Sequence, residues 1–293
     1  MSQATFVLPV YNGTRYLREA IDSVLAQSVS DWTLLIVDDC SSDRPEAIVS
    51  AYRDARIRFV RNSANLGLYG TLVRTIPEAD SPWISIIMQD DRLKPEYLRE
   101  MVRLSEQYPA AQAIWAGMDC VDGAGALVEP GPKTGREEPI APGPASWRGT
   151  LAQGCMWTIS GSFTRKQLYQ SMPFRTDLPH CGDYEWLLRA IREVLFVYWE
   201  YPLVDIRLHE GQASTGNLRS AQDVVEAYGI VRDNFRAYPG DLPRSEAFRI
   251  CRRRARGATR RALKQVTQGR VPTARLLLKY AFRFAVLPFE NGR

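Results

Sequence analysis

What most constrains this chain is a rhythm: through its first third, short apolar runs alternate with amphipathic stretches. Thr5 to Val10 reads as a strand, after which Leu17, Ile21, Val24 and Leu25 recur at helical spacing. Trp32 to Val37 is apolar at successive positions, as a strand covered on both faces must be. A short helix over Glu46 to Tyr52, a strand over Ile57 to Val60, a helix over Leu66 to Ile76 and a strand over Trp83 to Met88 follow. Pro95 then opens a helix running through Leu104. Alternation of this kind predicts an α/β fold with a mainly parallel sheet, right-handed crossovers and flanking helices.

Beyond Ala110 the rhythm loosens. Ala113 to Met118 reads as a strand, and Asp122-Gly123 as a hairpin turn. Glu129 to Trp147 is rich in Pro and Gly without periodicity, and reads as a long functional loop, a lid or an acceptor-facing segment. Trp157 to Phe163, Phe196 to Trp199 and Leu203 to Leu208 read as three strands, with a helix over Tyr184 to Ile191. From about Ser220 the pattern is helical, broken at Tyr238 to Pro243 and at Gly269 to Pro272.

Charge divides the chain as well, further on, at residue 244. The net charge of +5 is the sum of +12 over residues 244–293 and −7 over the rest. A mildly acidic body with a strongly basic tail predicts two parts with different partners, residues 1–215 and a basic helical appendage, 216–293. No apolar run approaches the ~20 residues a membrane-spanning helix needs, and the N-terminus lacks the pattern of a secretory signal. A cytoplasmic location is expected. The five scattered cysteines form no C-x-x-C pair, so neither a disulfide framework nor a zinc cluster is expected.

In open α/β sheets, ligands bind beyond the carboxyl ends of the strands. Three polar clusters fall at such ends: Pro9, Tyr11 and Asn12 after the first strand, Asp38 and Asp39 after the second, Asp90 and Asp91 after the fourth. Adjacent carboxylates after an apolar strand repel one another unless a cation compensates, as a magnesium- or manganese-bound diphosphate would. The bland reading of Asp90-Asp91 is a solvated turn before a helix. Asp38-Asp39 suits a ribose or base contact, or simply a loop rich in cap formers.

The residues Phe6 to Asn12, Val37 to Asp43, Asn62 to Gly67 and Gln89 to Pro95 follow one another in the order and spacing of family 2 glycosyltransferases of the GT-A fold. The resemblance continues in Gly182 to Arg189 and in Arg207-Leu-His209 followed by Ser214, and covers residues 4–215. It implies an inverting, metal-dependent transfer of sugar from a nucleotide-sugar donor, a UDP-sugar favoured, to the hydroxyl of a glycan or lipid-linked acceptor in surface glycan synthesis. Pro9, Tyr11, Asn12, Asp38 and Asp39, with Asn65 and Gly67 nearby, would surround the nucleoside. Asp90 and Asp91 would hold Mg²⁺ or Mn²⁺ and the diphosphate. Arg207 and His209 would approach the same group, His209 as a third metal ligand. Asp183 would be the catalytic base, with Glu185 and Asp177 as rivals and a helix N-cap as the plain alternative. Two positions depart from the pattern: Met88 stands where the common motif has its first Asp, and Gly182 where it has Glu. Those departures keep a non-catalytic nucleotide-sugar-binding module open beside a sugar nucleotidyltransferase.

Phosphate-loop and nucleophile-elbow motifs are absent, and Gly123-Ala-Gly125 is not completed as a dinucleotide fingerprint. For the basic tail, the first reading is a packed helical appendage and the second is peripheral contact with an anionic membrane. No motif supports nucleic acid as a partner.

Overall fold

A computed structural model of the chain describes residues 2–212 and 219–290. Two compact units emerge, one of residues 1–143 and 157–208, the other of residues 144–156 and 209–293.

The first unit is a mixed α/β body around one sheet, mostly parallel and flanked by helices. Its strands are β1 (Ala4–Val10), β2 (Trp32–Asp38), β3 (Ile57–Arg61), β4 (Trp83–Ile86), β5 (Arg92–Leu93), β6 (Ala111–Val121), β7 (Leu127–Glu129), β8 (Arg136–Ile140), β9 (Ser162–Arg165) and β10 (Leu195–Arg207). The order is β3-β2-β1-β4-β9-β6-β10-β5, with β7 on β6 and β8 on β10. β3, β2, β1 and β4 run parallel, β9 is antiparallel to both neighbours, and β6 and β10 pair in parallel again. Every residue of β1 is buried, because helices cover both faces, as the continuous apolar run predicts.

Those helices are α1 (Thr14–Leu25), α2 (Glu46–Val49), α3 (Gly67–Thr75), α4 (Tyr97–Gln107), α6 (Lys166–Ser171) and α7 (Gly182–Glu193). α1 buries Tyr16, Leu17, Ala20, Ile21 and Val24, the stripe its spacing dictates. α4 buries Leu98, Met101 and Leu104 in the same way, but starts at Tyr97 rather than Pro95.

Pro9 shows how the sheet opens. Proline donates no ladder hydrogen bond and is rarely tolerated between two strands. Pairing of β1 with β4 ends at Val7 and Ile86, while pairing with β2 continues through Pro9 to Asp38. β1 and β4 therefore part company before the proline. In open α/β sheets a split of this kind, at the carboxyl ends of neighbouring strands, is the usual place for a ligand.

Several expectations need correction. Residues 129–147 are not one irregular loop: β8 pairs antiparallel with Phe196–Glu200 of β10, and α5 (Pro144–Gln153) follows. The strand expected over Trp157 to Phe163 is confined to β9, and the two late strands are one, β10, with register shifts between Trp199 and Val204. Pro202 lies at that irregularity, where a missing N–H costs the ladder least.

The second unit contains α5, α8 (Gln222–Ala237), α9 (Arg244–Thr267) and α10 (Val271–Glu290). Tyr228 of α8 meets Tyr280 and Phe284 of α10 edge-on, with centroids 5.4 and 5.2 Å apart. Among the described residues no helix is long and apolar enough to cross a membrane.

Candidate active site

The loops that leave β1, β2 and β4 are tied to each other. Asp38, fully buried at the last pairing of β2, accepts the Ser41 N–H at 2.9 Å and forms an ion pair with Arg61 at the end of β3. Asp39 is buried too. Its Oδ1 accepts the Asn62 amide and the Leu66 N–H, each at 2.8 Å. Asn65 Oδ1 accepts the Gly67 N–H at 3.0 Å, and Gly67 begins α3 at φ +72°, where glycine is favoured. The carboxylate of Asp39 thus fixes the start of α3.

Asn12 stands at φ 47° and Cys40 at φ 62°, both left-handed, at the ends of β1 and β2. Such conformations cost on the order of 1–3 kcal/mol each and concentrate at functional sites. Asn12 is held there from both sides: its N–H donates to Ser41 Oγ at 3.0 Å, and its Oδ1 accepts the Ser42 N–H at 2.9 Å. Tyr11 is left 48 % exposed on the same loop, an aromatic face beside buried carboxylates. Its main chain is clasped by Gln89, whose Oε1 accepts the Tyr11 N–H at 2.8 Å. Gly13 makes room for that amide, since a Cβ there would lie 2.0 Å from the Gln89 side chain. The first-strand loop and the Asp90-Asp91 loop are in this way one structure.

Asp91 is 5 % exposed and accepts the Arg207 N–H at 3.0 Å. Burial, and next the charge of Asp90, push its carboxyl up to about 7, against the opposing pull of the hydrogen bonds from Arg207 and Ser160. Arg207 itself is 2 % exposed. Its guanidinium donates to the Asp90 carbonyl at 2.9 Å and the Asp122 carbonyl at 3.3 Å, pairs with Glu19 at 2.6 Å, and lies over the Tyr16 ring at 4.3 Å. Arg207 is a strut beneath the acidic turn, with its guanidinium engaged by protein groups.

Asp183 is in the first turn of α7. The plain alternative, that Asp183 is the helix N-cap, does not hold: Cys181 is at the N-cap position, with no side-chain cap bond. The Asp183 N–H donates to the Tyr69 hydroxyl at 3.0 Å, and its Oδ1 accepts the Tyr184 N–H at 2.7 Å. Tyr69 belongs to the first turn of α3, the helix whose start Asp39 fixes, so Asp183 is joined to Asp39 through two bonded steps. The rival bases are occupied. Glu185 is buried in a two-pronged pair with Arg189, and Arg175 holds the Asp177 carboxyl below the usual carboxylate range.

His209 is the first residue of the second compact unit in that stretch, and its N–H donates to Gln212 Oε1 at 2.8 Å. Ser214 lies outside the described residues. Gln89, Asn62, Tyr69, Ser160 and Glu19 were not assigned from sequence. Gln89 and Asn62 stand inside the motifs and were in plain view, whereas Glu19, Tyr69 and Ser160 carry no signal until the fold brings them in.

Residues 5–144 match the model of glycosyl transferase family 2. The chain is 34 % identical over 110 residues to the succinoglycan biosynthesis protein ExoO of Rhizobium meliloti, covering 38 % of this chain and 32 % of that protein. It is 25 % identical over 225 residues to an uncharacterized glycosyltransferase of Rickettsia typhi, covering 75 % of this chain and 68 % of its relative. The chain thus spans about a third of the first relative and two thirds of the second. Among solved structures, S. aureus TarS 1-349 in complex with UDP aligns at a TM-score of 0.59 and 14 % identity, over 96 % of this chain and 91 % of that one, a likeness of fold. The match over residues 5–144, just under half of the chain, assigns that segment to glycosyl transferase family 2, in accord with the strand-end clusters it contains.

Proposed function

We propose that the chain transfers a sugar from a nucleoside diphosphate donor to an acceptor hydroxyl with inversion, Asp183 serving as the base. One observation carries this reading: the β1, β2 and β4 loops and the first turn of α7 form a bonded series, from Gln89 through Tyr11 and Asn12 to Ser41, and from Asp39 through α3 and Tyr69 to Asp183. In the reaction, the acceptor oxygen forms a bond to the anomeric carbon as the bond from that carbon to the diphosphate oxygen breaks. The leaving diphosphate keeps the electron pair, and the acceptor proton passes to the Asp183 carboxylate. Attack from the face opposite the leaving group inverts the centre.

A divalent cation suits the Asp90-Asp91 edge. Among the described residues no three His, Cys, Asp or Glu side chains gather as a metal cage. Mg²⁺ or Mn²⁺ bound with a diphosphate needs only one or two carboxylates, and a buried Asp91 beside Asp90 resists ionising without a compensating charge. Asp90 and Asp91 would hold it, and it would supply charge stabilisation to the departing diphosphate. His209 is a ligand by resemblance alone. UDP is favoured by the UDP and UDP-GlcNAc complexes of TarS, and an exopolysaccharide acceptor by the succinoglycan relative.

The test is turnover of UDP-, dTDP- and GDP-sugars with Mg²⁺, with Mn²⁺ and with chelator, repeated for Asp183→Asn and His209→Ala. Release of nucleoside diphosphate, lost by a factor on the order of 10²–10⁴ in Asp183→Asn, is expected. Donor affinity without turnover would reassign the chain as a binding module, and pyrophosphate release as a nucleotidyltransferase.

A further inference from the structure

α9 and α10 carry a face that contains none of the residues of the candidate site. Between them lies a cavity of ≈ 730 Å³ whose walls include Phe248, Arg252, Arg256, Arg260, Ala285 and Pro288. The three arginines recur every four residues, so they stand in a row along one side of α9. All three are exposed. Other arginines of this unit serve the fold: Arg261 pairs with Asp223 at 2.6 Å, Arg254 donates to the Leu151 carbonyl, and Arg283 lies over the Tyr228 ring. Arg252, Arg256 and Arg260 do none of this among the described residues. Over residues 244–293 the acidic side chains are Glu246 and Glu290, and Glu246 is engaged by Arg148 and Arg249.

Beside this row runs an apolar one. Leu278, Phe282, Ala285 and Phe289 follow at intervals of four, three and four, one face of α10. Phe282 is 68 % and Phe289 66 % exposed. The Phe289 ring meets Phe248 of α9 edge-on at 4.8 Å, which brings the aromatic row to the end of the arginine row.

Exposed phenyl rings rimmed by cations of a single sign mark an interaction surface, and the chemistry selects the partner. A second copy docked face to face would set three guanidinium groups against three more at close range. A layer of phosphates above hydrocarbon satisfies both rows together: guanidinium groups lie at the phosphates and rings enter the acyl boundary. We propose that the α9–α10 face docks on an anionic phospholipid bilayer, Arg252, Arg256 and Arg260 taking lipid phosphates and Phe248, Phe282 and Phe289 entering the interface. This inference is independent of the sugar chemistry.

The test is flotation of the full chain with phosphatidylcholine vesicles and with phosphatidylcholine–phosphatidylglycerol vesicles, at low and high salt. Binding to the mixed vesicles, weakened by salt, is expected. R252Q/R256Q/R260Q is expected to weaken it by about fivefold per arginine, on the order of 100-fold in all, and F282S/F289S to weaken it with the salt dependence retained. Circular dichroism checks that the variants fold, which the exposure of the substituted side chains favours. No binding to anionic vesicles, or equal binding by the arginine variant, overturns the proposal. So does single-stranded RNA that binds the same face and is not displaced by vesicles, or a dimer that the arginine or phenylalanine variant abolishes.

Discussion

Tyr69 occupies the space that a side chain at position 182 would need. A Cβ on Gly182 would lie 2.6 Å from Tyr69 Cε2, so the ring can sit against the start of α7 only because glycine is there. The departure from the family motif at Gly182 thereby acquires a physical reason: the phenol takes the place of a longer residue and accepts the Asp183 N–H. Tyr69→Phe keeps the ring and deletes the acceptor. It is expected to cost about 1 kcal/mol of stability and, on the proposed role of Asp183, to lower kcat on the order of tenfold with donor KM unchanged, because the proposed base is misplaced while the loops proposed to hold the donor are intact. Steady-state kinetics on both substrates check this; a change in donor KM alone would place Tyr69 on the donor instead. Asp91 gives a second prediction at this scale. Its folded pKa of about 7 stands above the ordinary value of about 4. The folded chain therefore holds a proton that the unfolded chain releases, and stability from this group is full below about pH 4 and is lost as pH rises through 7. A cation that needs the carboxylate competes with the proton. Melting temperatures in a pH series are expected to show a Mg²⁺- or Mn²⁺-induced gain that grows through pH 7 in the wild type. Asp91→Asn is expected to flatten the metal-free slope and abolish the gain.

The elements readable in the sequence are those whose local pattern and tertiary burial agree. β1, β2 and β4 are apolar because helices cover both faces, α1, α3 and α4 keep one stripe inward, and α7 is buried almost all round, so the apolar pattern locates them along with the acidic turns at the strand ends. β8 was missed for a physical reason. Arg136-Glu-Glu-Pro-Ile140 borders solvent, alternates weakly, and owes its strand conformation to pairing with β10, which no local window contains. β10 was split because its register shifts straddle Pro202, and a proline reads as an end. The resemblance implies that Arg207 approaches the diphosphate, and the structure shows its guanidinium bonded beneath the turn that carries Asp90 and Asp91. Its strut role depends on Glu19 and on the Asp122 carbonyl, both distant in sequence and brought in by α1 and by the turn after β6. Arg207→Met keeps the stem but orphans the carbonyls of Asp90 and Asp122. It is expected to cost on the order of 3 kcal/mol in urea denaturation and to weaken metal-dependent donor binding, since the turn that carries Asp90 and Asp91 loses its support. Unchanged stability would show that the strut is dispensable.

At the scale of the whole chain, charge changes sign at residue 244 and the helical pattern begins near residue 220, whereas the compact units divide after Leu208. What charge could not reveal is the donation of residues 144–156 to the second unit. Trp147 and Leu151 of α5 are fully buried, and the Trp147 indole N–H donates to Asn234 of α8 at 2.8 Å while its ring meets Tyr238 edge-on at 5.3 Å. In the sequence this segment is a Pro- and Gly-flanked stretch with little periodicity, because a helix that buries one tryptophan and one leucine has too few apolar positions to show a period. The discontinuity has a consequence for dissection. A chain ending at residue 208 retains α5 but loses α8, so Trp147 and Leu151 lose their cover. Light scattering is expected to show that fragment aggregating, and Trp147→Ser with Leu151→Ser to restore its solubility, because the first unit's sheet and core lie wholly within the retained residues. In the full chain, Trp147→Ala is expected to destabilise by about 3–5 kcal/mol through the cavity and the orphaned Asn234 carbonyl. A monodisperse 1–208 fragment without those substitutions would show that Trp147 and Leu151 do not need the cover of α8.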